Sequence, residues 1–349
     1  MNNLARANIS RIAGYVPGEQ PRGQKLIKLN TNENPYPPAP EVGAALQSFA
    51  WQDLRLYSEP SAACVREAAS AEYSLPAEQI LCGNGSDDLL TIAVRTFVDQ
   101  GQPLAYCVPS YSLYPVLADL QGASHQQVHL DHDFQVPEDA AAQARGARLL
   151  LLARPNAPTG TSTARSRLEK LCREFQGVVW IDEAYADFAA DHCLDFVSRY
   201  PNVVVSRTFS KSYSLAGLRL GLAFAAPGLI QEMNKVKDSY NVDALTQCLG
   251  SAALRASAYM RENAARIRET RDWLSGQLRQ LGCEVLPSQA NFLFARTPLA
   301  AEQVFADLRR DGFLVRYFKL PRISEYLRIT IGRREDMQAF VDCLKKILS

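Results

Sequence analysis

Lys211 has the sequence environment most typical of a reactive side chain. It follows the apolar run at residues 203–205. Hydroxyl side chains at Thr208 and Ser210 precede it, and Arg219 lies eight positions further on. Beside a buried strand a lysine is desolvated, so its pKa falls and its amine can form a Schiff base with a carbonyl group. An arginine nearby can hold a phosphate through two parallel hydrogen bonds. The segment therefore favours a covalent site for a phosphorylated carbonyl compound over a solvated surface turn.

A carboxylate ends the apolar run at residues 178–181, where Asp182 is followed by Glu183, Ala184 and Tyr185. A buried carboxylate at a strand end needs a cationic partner. The protonated ring nitrogen of pyridoxal phosphate is such a partner, and keeping it protonated makes the ring an electron sink. Asp182 alone is also compatible with a helix cap, but together with the lysine segment it predicts a pyridoxal phosphate site.

A glycine-containing turn follows the strand expected at residues 80–82. Gly85, Ser86 and Asp87 lie where this strand passes into a helix. Glycine lets the backbone approach a ligand closely, and the N–H groups at the start of a helix bind anions. A plain helix cap would have the same sequence, so this turn supports a phosphate site only in combination with Arg219.

Two further strand ends carry candidate cofactor contacts. Tyr111 follows the strand expected at residues 104–108, and its ring could lie flat against another ring or belong to the core. Asn156 lies in the turn at residues 154–160, where two prolines restrict the backbone. Its side-chain amide could bind the phenolic oxygen of the pyridoxal phosphate ring.

The order of the remaining elements predicts an α/β fold. Strands are expected at residues 80–82, 104–108, 149–153, 178–181 and 203–206, and helices at residues 87–98, 166–175 and 229–237. Strands alternating with helices favour a mostly parallel sheet flanked by helices, which binds ligands at the carboxyl ends of its strands.

We divide the chain into an N-terminal arm (1–45), a large domain (46–250) and a smaller α/β domain (251–349). An amphipathic helix at residues 262–281 is expected to connect the two domains, with Ile267, Thr270, Leu274 and Leu278 on one face. Three strand-like runs and a final helix follow it, at residues 289–295, 312–316, 326–331 and beyond.

Composition excludes several other classes of protein. The 349 residues are 47% hydrophobic and 21% charged, with a formal net charge of +1, which argues against a nucleic acid or an anionic membrane as partner. No apolar run could span a bilayer, and the first residues contain no export signal, so a cytoplasmic location is expected. The eight cysteines form no zinc-binding pattern. The polar stretch from His125 to Asp133 favours a solvated loop over a metal site.

In chain order these segments resemble the histidinol-phosphate aminotransferases, a branch of the fold-type I pyridoxal-phosphate-dependent aminotransferases, over essentially the whole length. The matching motifs are NTNENP at 30–35, GSD at 85–87, PSY at 109–111, PN at 155–156, DEAY at 182–185, SK at 210–211, Arg219 and LRITI at 327–331. The resemblance implies a fold-type I structure with a large and a smaller domain. It also implies transfer of an amino group between histidinol phosphate and 2-oxoglutarate, a step of histidine biosynthesis.

The resemblance also implies roles for individual residues. Lys211 would carry the cofactor and move the proton, Asp182 would pair with the ring nitrogen, and Tyr185 would bind the phenolic oxygen. The other implied cofactor ligands are Gly85, Ser86, Asp87, Tyr111, Asn156, Thr208, Ser210 and Arg219. The implied substrate ligands are Arg328, Arg316, Tyr15 and Asn34. Tyr57 would reach a phosphate in the other subunit, which implies a homodimer with shared active sites.

Two positions depart from the family pattern. The family usually has asparagine immediately before Pro-Thr-Gly, where this chain has Ala157, so Asn156 would have to take over the oxygen contact. Ser58 follows Tyr57 where proline is usual. Three alternatives stay open at this point: an aromatic aminotransferase, a phosphothreonine decarboxylase of the same fold, and a regulatory protein that only binds the cofactor.

Overall fold

A seven-stranded sheet forms the centre of the computed structural model, which describes residues 4–6, 8–21 and 26–349. Eight positions of the predicted arm lie outside the described residues: 1–3, 7 and 22–25. The first three belong to the segment for which no export signal is predicted. The strands are β2 (Ile80–Gly83), β3 (Pro103–Val108), β4 (Ser124–His129), β5 (Leu149–Ala153), β6 (Val178–Asp182), β7 (Val203–Thr208) and β8 (Gly221–Ala225), in the order β2-β8-β7-β6-β5-β3-β4.

Strand β8 alone runs against its neighbours in this sheet. It pairs antiparallel with both β7 and β2, whereas all other pairs are parallel. The carboxyl ends of the other six strands therefore meet at one edge, and β8 begins at that edge. Every residue of β5, β6, β7 and β8 is buried, as expected for strands with both faces covered.

A second sheet comes from the last third of the chain. It contains β9 (Glu284–Val285), β10 (Phe292–Arg296), β12 (Arg316–Tyr317) and β13 (Tyr326–Thr330), all antiparallel, in the order β12-β13-β10-β9. A short parallel pair joins β1 (Ile27–Lys28) of the predicted arm to β11 (Phe313–Leu314). The arm is thus attached to the C-terminal part of the molecule.

Helices cover both faces of the large sheet and also pack against the second sheet. They are α1 (Pro40–Ser48), α2 (Ala63–Tyr73), α3 (Ser86–Phe97), α4 (Leu113–Gln121), α5 (Ala140–Gln143), α6 (Arg165–Glu174), α7 (Phe196–Arg199), α8 (Pro227–Asn234), α9 (Ala244–Arg255), α10 (Ser257–Gln280), α11 (Ala301–Arg310) and α12 (Arg334–Leu348). Two apolar clusters form the core, one on each face of the sheet. Among the described residues no helix is both long and apolar enough to cross a bilayer.

Most predicted elements match the structure to within a few residues. The strand expected at residues 149–153 is β5, and α10 buries the predicted face of Ile267, Thr270, Leu274 and Leu278. The solvated loop expected from His125 was wrong in its first half, because residues 124–129 form the edge strand β4. The division into a large and a smaller domain at residue 250 stays a prediction.

Candidate active site

A cavity of about 680 Å³ opens at the edge of the large sheet where the parallel strands end. Twelve of the predicted site residues line it: Tyr15, Ser86, Asp87, Tyr111, Asp182, Tyr185, Thr208, Ser210, Lys211, Arg219, Arg316 and Arg328. They come from the N-terminal arm, from five strand ends and from the second sheet. The topology thus brings together groups that lie up to about three hundred positions apart in the chain.

Lys211 lies beyond the end of β7, and its amine faces the arm. Its Nζ donates to the carbonyl oxygen of Thr31 at 2.9 Å and lies 5.9 Å from the centroid of the Tyr185 ring. Burial of the ammonium group, followed by the positive charge of Arg328, lowers the pKa of Lys211 to about 8. A substantial fraction of this amine is therefore neutral near physiological pH, as a nucleophile requires.

A cradle for an anion lies beside the lysine, at the start of α3. Gly85 has a left-handed backbone (φ 84°), and a Cβ atom there would lie 2.7 Å from Arg219 Nη2. Gly221 packs equally close, since its Cβ would lie 2.7 Å from the nitrogen of Ser86. These two glycines let the Arg219 guanidinium and the first N–H groups of α3 approach the same space. Ser210 is within reach of Arg219 Nη1 at 3.4 Å, so the cradle has the donors that a phosphate needs.

Asp182 ends β6 inside the protein. It accepts hydrogen bonds from the Ala184 N–H (3.2 Å) and from the hydroxyls of Tyr114 and Ser206 (both 3.4 Å). Burial raises the pKa of Asp182 to about 6, and within the described part of the chain the carboxylate has no ion-pair partner to offset the loss of water. A positive ring nitrogen beside this carboxylate would lower its pKa again.

Tyr111 and Tyr15 close one side of the cavity. The Tyr111 hydroxyl donates to Asp87 Oδ1 at 3.0 Å, and the Tyr15 ring meets the Tyr111 ring edge to face, with centroids 6.0 Å apart. Asp87 also lies 3.4 Å from Arg219 Nη2. Asp87 thus links the aromatic wall to the anion cradle.

Two arginines from the second sheet line the same cavity. Arg316 in β12 pairs directly with Arg328 in β13, so two positive charges lie side by side. Arg328 is half-buried and donates to the Asn30 carbonyl oxygen at 2.8 Å, and its Nε has no hydrogen-bond partner among the described residues. Among the described residues neither arginine has a carboxylate within 4.0 Å, and Glu325, which directly precedes β13, pairs with Arg296 at 3.6 Å. The pair therefore has the charge and the hydrogen-bond donors to bind an anion from outside the protein.

Asn156, a predicted cofactor ligand, does not face the cavity. The Asn156 amide donates to Pro109 O (3.1 Å) and Thr159 Oγ1 (2.9 Å), and its oxygen accepts from Ser110 (2.7 Å). Asn156 therefore braces the turn, and Ala157 lines the cavity in its place. The structure does not support the predicted contact between Asn156 and the phenolic oxygen of the cofactor, because all polar groups of this side chain are engaged elsewhere.

Asn34 was expected to bind substrate, and the structure places it behind the lysine instead. Its amide donates to the carbonyl oxygens of Lys211 and Ser212, both at 3.0 Å. The Ser212 hydroxyl donates to Asp187, which pairs with Arg207 at 2.8 Å. Arg207 also binds the fully buried carboxylate of Glu183 at 2.9 Å. This charged network fixes the backbone that carries Lys211.

Tyr57 lies outside the cavity of its own chain. Its side chain is 84% exposed and stacks on Tyr240, with ring centroids 4.5 Å apart. In the polar stretch that begins at His125, His125 binds the Tyr106 hydroxyl (2.8 Å) and Asp119 (2.9 Å), whereas His129 lines the cavity.

Asn32 is a site residue that the motif analysis missed. It is 1% exposed, lines the cavity, and donates from Nδ2 to the Tyr185 hydroxyl oxygen at 2.9 Å. The motif at residues 30–35 contains Asn30, Asn32 and Asn34, and the resemblance implied a role for Asn34 rather than for Asn32. The arrangement of all these groups fits pyridoxal phosphate: an amine of lowered pKa, an anion cradle and a buried carboxylate surround one space.

The fold and this site define an aminotransferase. The family model "Aminotransferase class I and II" matches residues 24–344, so the chain belongs to that family, as the motifs predicted. It is 47% identical to a histidinol-phosphate aminotransferase of Synechocystis sp. over 94% of this chain and 93% of the relative. It is 44% identical to one of Syntrophotalea carbinolica over 99% of both chains. Among solved structures, a histidinol-phosphate aminotransferase of Sinorhizobium meliloti in complex with pyridoxal-5'-phosphate has a TM-score of 0.87 and 25% identity, and covers 93% of this chain and 92% of its own. The fold-type I prediction is confirmed.

Proposed function

We propose that this chain is a histidinol-phosphate aminotransferase that uses pyridoxal phosphate and exchanges an amino group with 2-oxoglutarate or glutamate. The observation that carries the proposal is one cavity in which Lys211, whose pKa is lowered, lies near both an anion cradle and two arginines that have no carboxylate partner among the described residues. The predicted cofactor is confirmed by the family match and by the solved relative that contains it.

The cofactor site is assigned from the residues that line the cavity. Ser86, Thr208, Ser210 and Arg219 would hold the phosphate, and Tyr111 would cover one face of the ring. Bound pyridoxal phosphate supplies an electron-withdrawing ring, and Asp182 keeps the ring nitrogen protonated. The low exposure of Asp182 strengthens this ion pair, because little water screens it.

Lys211 performs the proton transfer. Its amine holds the proton that leaves the substrate α-carbon and delivers it to the neighbouring cofactor carbon. The lowered pKa of Lys211 makes its neutral form available for the first half of that transfer. Asn34 and Ser212 fix the lysine backbone, so that the amine remains within reach of both carbon atoms.

Arg328 and Arg316 would bind the anionic end of each substrate. A guanidinium fork suits the phosphate of histidinol phosphate and the second carboxylate of glutamate equally well, so one site serves both half-reactions. Tyr15 closes this region from the arm. Because lysine lacks the planar fork, Arg328→Lys should raise both Michaelis constants while the visible absorbance of the bound cofactor remains normal.

A homodimer completes the proposed site. Large apolar side chains are exposed around the turn that precedes Tyr57: Trp51 (70%), Leu54 (57%) and Leu56 (54%). Such a patch marks an interface, and Tyr57 at its margin would reach the phosphate in the partner's site. We also infer a cytoplasmic location, because all eight cysteines are free thiols. With a net charge of +1, we expect neither nucleic acid nor membrane partners.

The test is a substrate comparison on the purified enzyme. Histidinol phosphate and aromatic amino acids are each offered with 2-oxoglutarate, and we expect histidinol phosphate to have much the higher kcat/KM. Borohydride reduction followed by peptide mapping should place the cofactor on Lys211, and Lys211→Ala serves as the inactive control. Preference for an aromatic amino acid, or labelling of a different lysine, would contradict the assignment.

A further inference from the structure

Asn32 makes the one protein hydrogen bond to the Tyr185 hydroxyl among the residues that the structure describes. The Asn32 Nδ2 atom donates to the Tyr185 oxygen at 2.9 Å, and both side chains are buried. Asn32 belongs to the arm, and Tyr185 follows β6, so the bond joins segments 153 positions apart. The tyrosine oxygen is thus an acceptor towards the arm, and its own proton is free for another partner.

Thr330 sets the orientation of the Asn32 amide. The backbone N–H of Asn32 donates to Thr330 Oγ1 at 3.0 Å, and the threonine hydroxyl donates to Asn32 Oδ1 at 2.9 Å. Asn291 holds the same turn by donating to the Asn32 carbonyl oxygen at 3.0 Å. With its oxygen engaged by Thr330, the amide presents its NH₂ group to Tyr185. If the amide oxygen faced Tyr185 instead, the tyrosine hydroxyl would donate its hydrogen bond to Asn32 in the arm.

The Tyr185 proton therefore points into the cavity. Within the described part of the chain no acceptor lies within hydrogen-bonding distance of it, and the residue lines the cavity beside Lys211. Ala157 lines the same cavity and has no polar side chain. The phenolic oxygen of a bound cofactor would consequently lack the asparagine amide that the family usually places beside it, and Tyr185 would be left as its donor.

We propose that Asn32, anchored by Thr330, is a positioning residue that aims the Tyr185 proton at the phenolic oxygen of the bound cofactor. This inference rests on the proposed cofactor site. A hydrogen bond to the phenolic oxygen stabilises its negative charge, most strongly when the neighbouring nitrogen on Lys211 has lost its proton. Loss of the bond therefore raises the pKa at which the absorbance of the lysine-bound cofactor changes.

The experiment is a visible absorbance titration of the holoenzyme and its variants. Asn32→Gly removes the amide and suits the left-handed backbone at this position (φ 56°). Tyr185→Phe should raise the pKa of the bound cofactor. Asn32→Gly should also raise this pKa, by an amount that corresponds to a roughly 2- to 10-fold higher proton affinity. In the Tyr185→Phe background Asn32→Gly should have no further effect.

Thr330→Val supplies a second variant that keeps the side-chain shape and removes the anchor of the amide. It should raise the pKa by less than Asn32→Gly does. Thr297→Val is the matched control, because among the described residues its hydroxyl binds only the Leu299 carbonyl oxygen (2.8 Å), outside the cavity; it should leave the titration unchanged.

The outcomes separate this inference from the proposed site. If Tyr185→Phe raises the pKa but Asn32→Gly and Thr330→Val do not, Asn32 has no positioning role and the proposed function stands. An effect of Asn32→Gly that persists in full without the tyrosine hydroxyl would also overturn the inference. If Tyr185→Phe itself leaves the titration unchanged, the assignment of Tyr185 to the phenolic oxygen fails first.

Discussion

The pKa of Lys211 allows a quantitative test of the active site. Burial, with the charge of Arg328 as the second cause, lowers this pKa from 10.5 to about 8. At pH 7 a pKa of 10.5 leaves about 3 amines in 10,000 neutral, whereas a pKa of about 8 leaves roughly one in ten. Because the neutral amine attacks the carbonyl group, the buried lysine should capture pyridoxal phosphate ~300-fold faster at pH 7 than an ordinary lysine would.

The assay follows cofactor capture by the apoenzyme between pH 6 and pH 10, through the visible absorbance in a stopped-flow instrument. The protonated amine does not react, so the rate should rise with pH, reach half its maximum near pH 8 and level off above it. Competitive reductive methylation with peptide mapping measures the same pKa independently, with the exposed side chain of Lys235 as internal reference.

Arg328→Gln separates the two causes of the shift. The variant loses the charge that disfavours the ammonium form, so the half-maximum should move to higher pH. It should stay below 10.5, because burial is the larger cause and remains. A half-maximum near pH 10.5 in the unmodified enzyme would refute the reasoning from burial. A half-maximum that does not respond to Arg328→Gln would refute the role of the neighbouring charge.

Three further predictions concern chemistry, assembly and stability. Asp182→Ala removes the partner of the ring nitrogen, at a cost of about 3–5 kcal/mol, so single-turnover rates should fall by roughly two to four decades; near-normal turnover would mean that Asp182 only caps the turn after its strand. Mixing a Tyr57→Phe protein with a Lys211→Ala protein should restore activity in hybrid dimers, and no recovery after verified subunit exchange would count against a shared site. Arg207→Met removes the closer of the two arginine partners of the buried Glu183 carboxylate (Arg207 at 2.9 Å, Arg154 at 4.0 Å) and should lower the free energy of unfolding by about 3 kcal/mol in urea titrations, whereas the exposed Arg199→Met should leave the midpoint nearly unchanged.

The central strands could be predicted because burial on both faces demands continuous apolar runs, as in β5 and β6. The edge strand β4 could not, since five of its six residues are polar or small and only Val128 is deeply buried. Pairing with β3 makes residues 124–129 a strand, and such pairing is a long-range interaction without a local signal.

The positions of Asn32, Asn34 and Asn156 illustrate the same limit within the site. In each segment the sequence identifies amide side chains beside the cofactor motifs, but the direction of each amide depends on its neighbours in space. Asn156 turns away from the cavity because its amide is engaged by the surrounding turn. The sequence alone shows the residue types at these positions but does not show their hydrogen-bond partners.

By itself the sequence determined which side chains can do chemistry and that they lie at strand ends: Lys211, Asp182 and Arg219 follow from local patterns of apolar runs and polar turns. Only the tertiary structure decided that Asn32, and not Asn34, reaches Tyr185. The left-handed backbone at Asn32 (φ 56°) breaks the alternation of an extended segment. Thr330 and Asn291, far along the chain, hold it there. That choice depends on hydrogen bonds between distant residues, which exist only once the chain has folded.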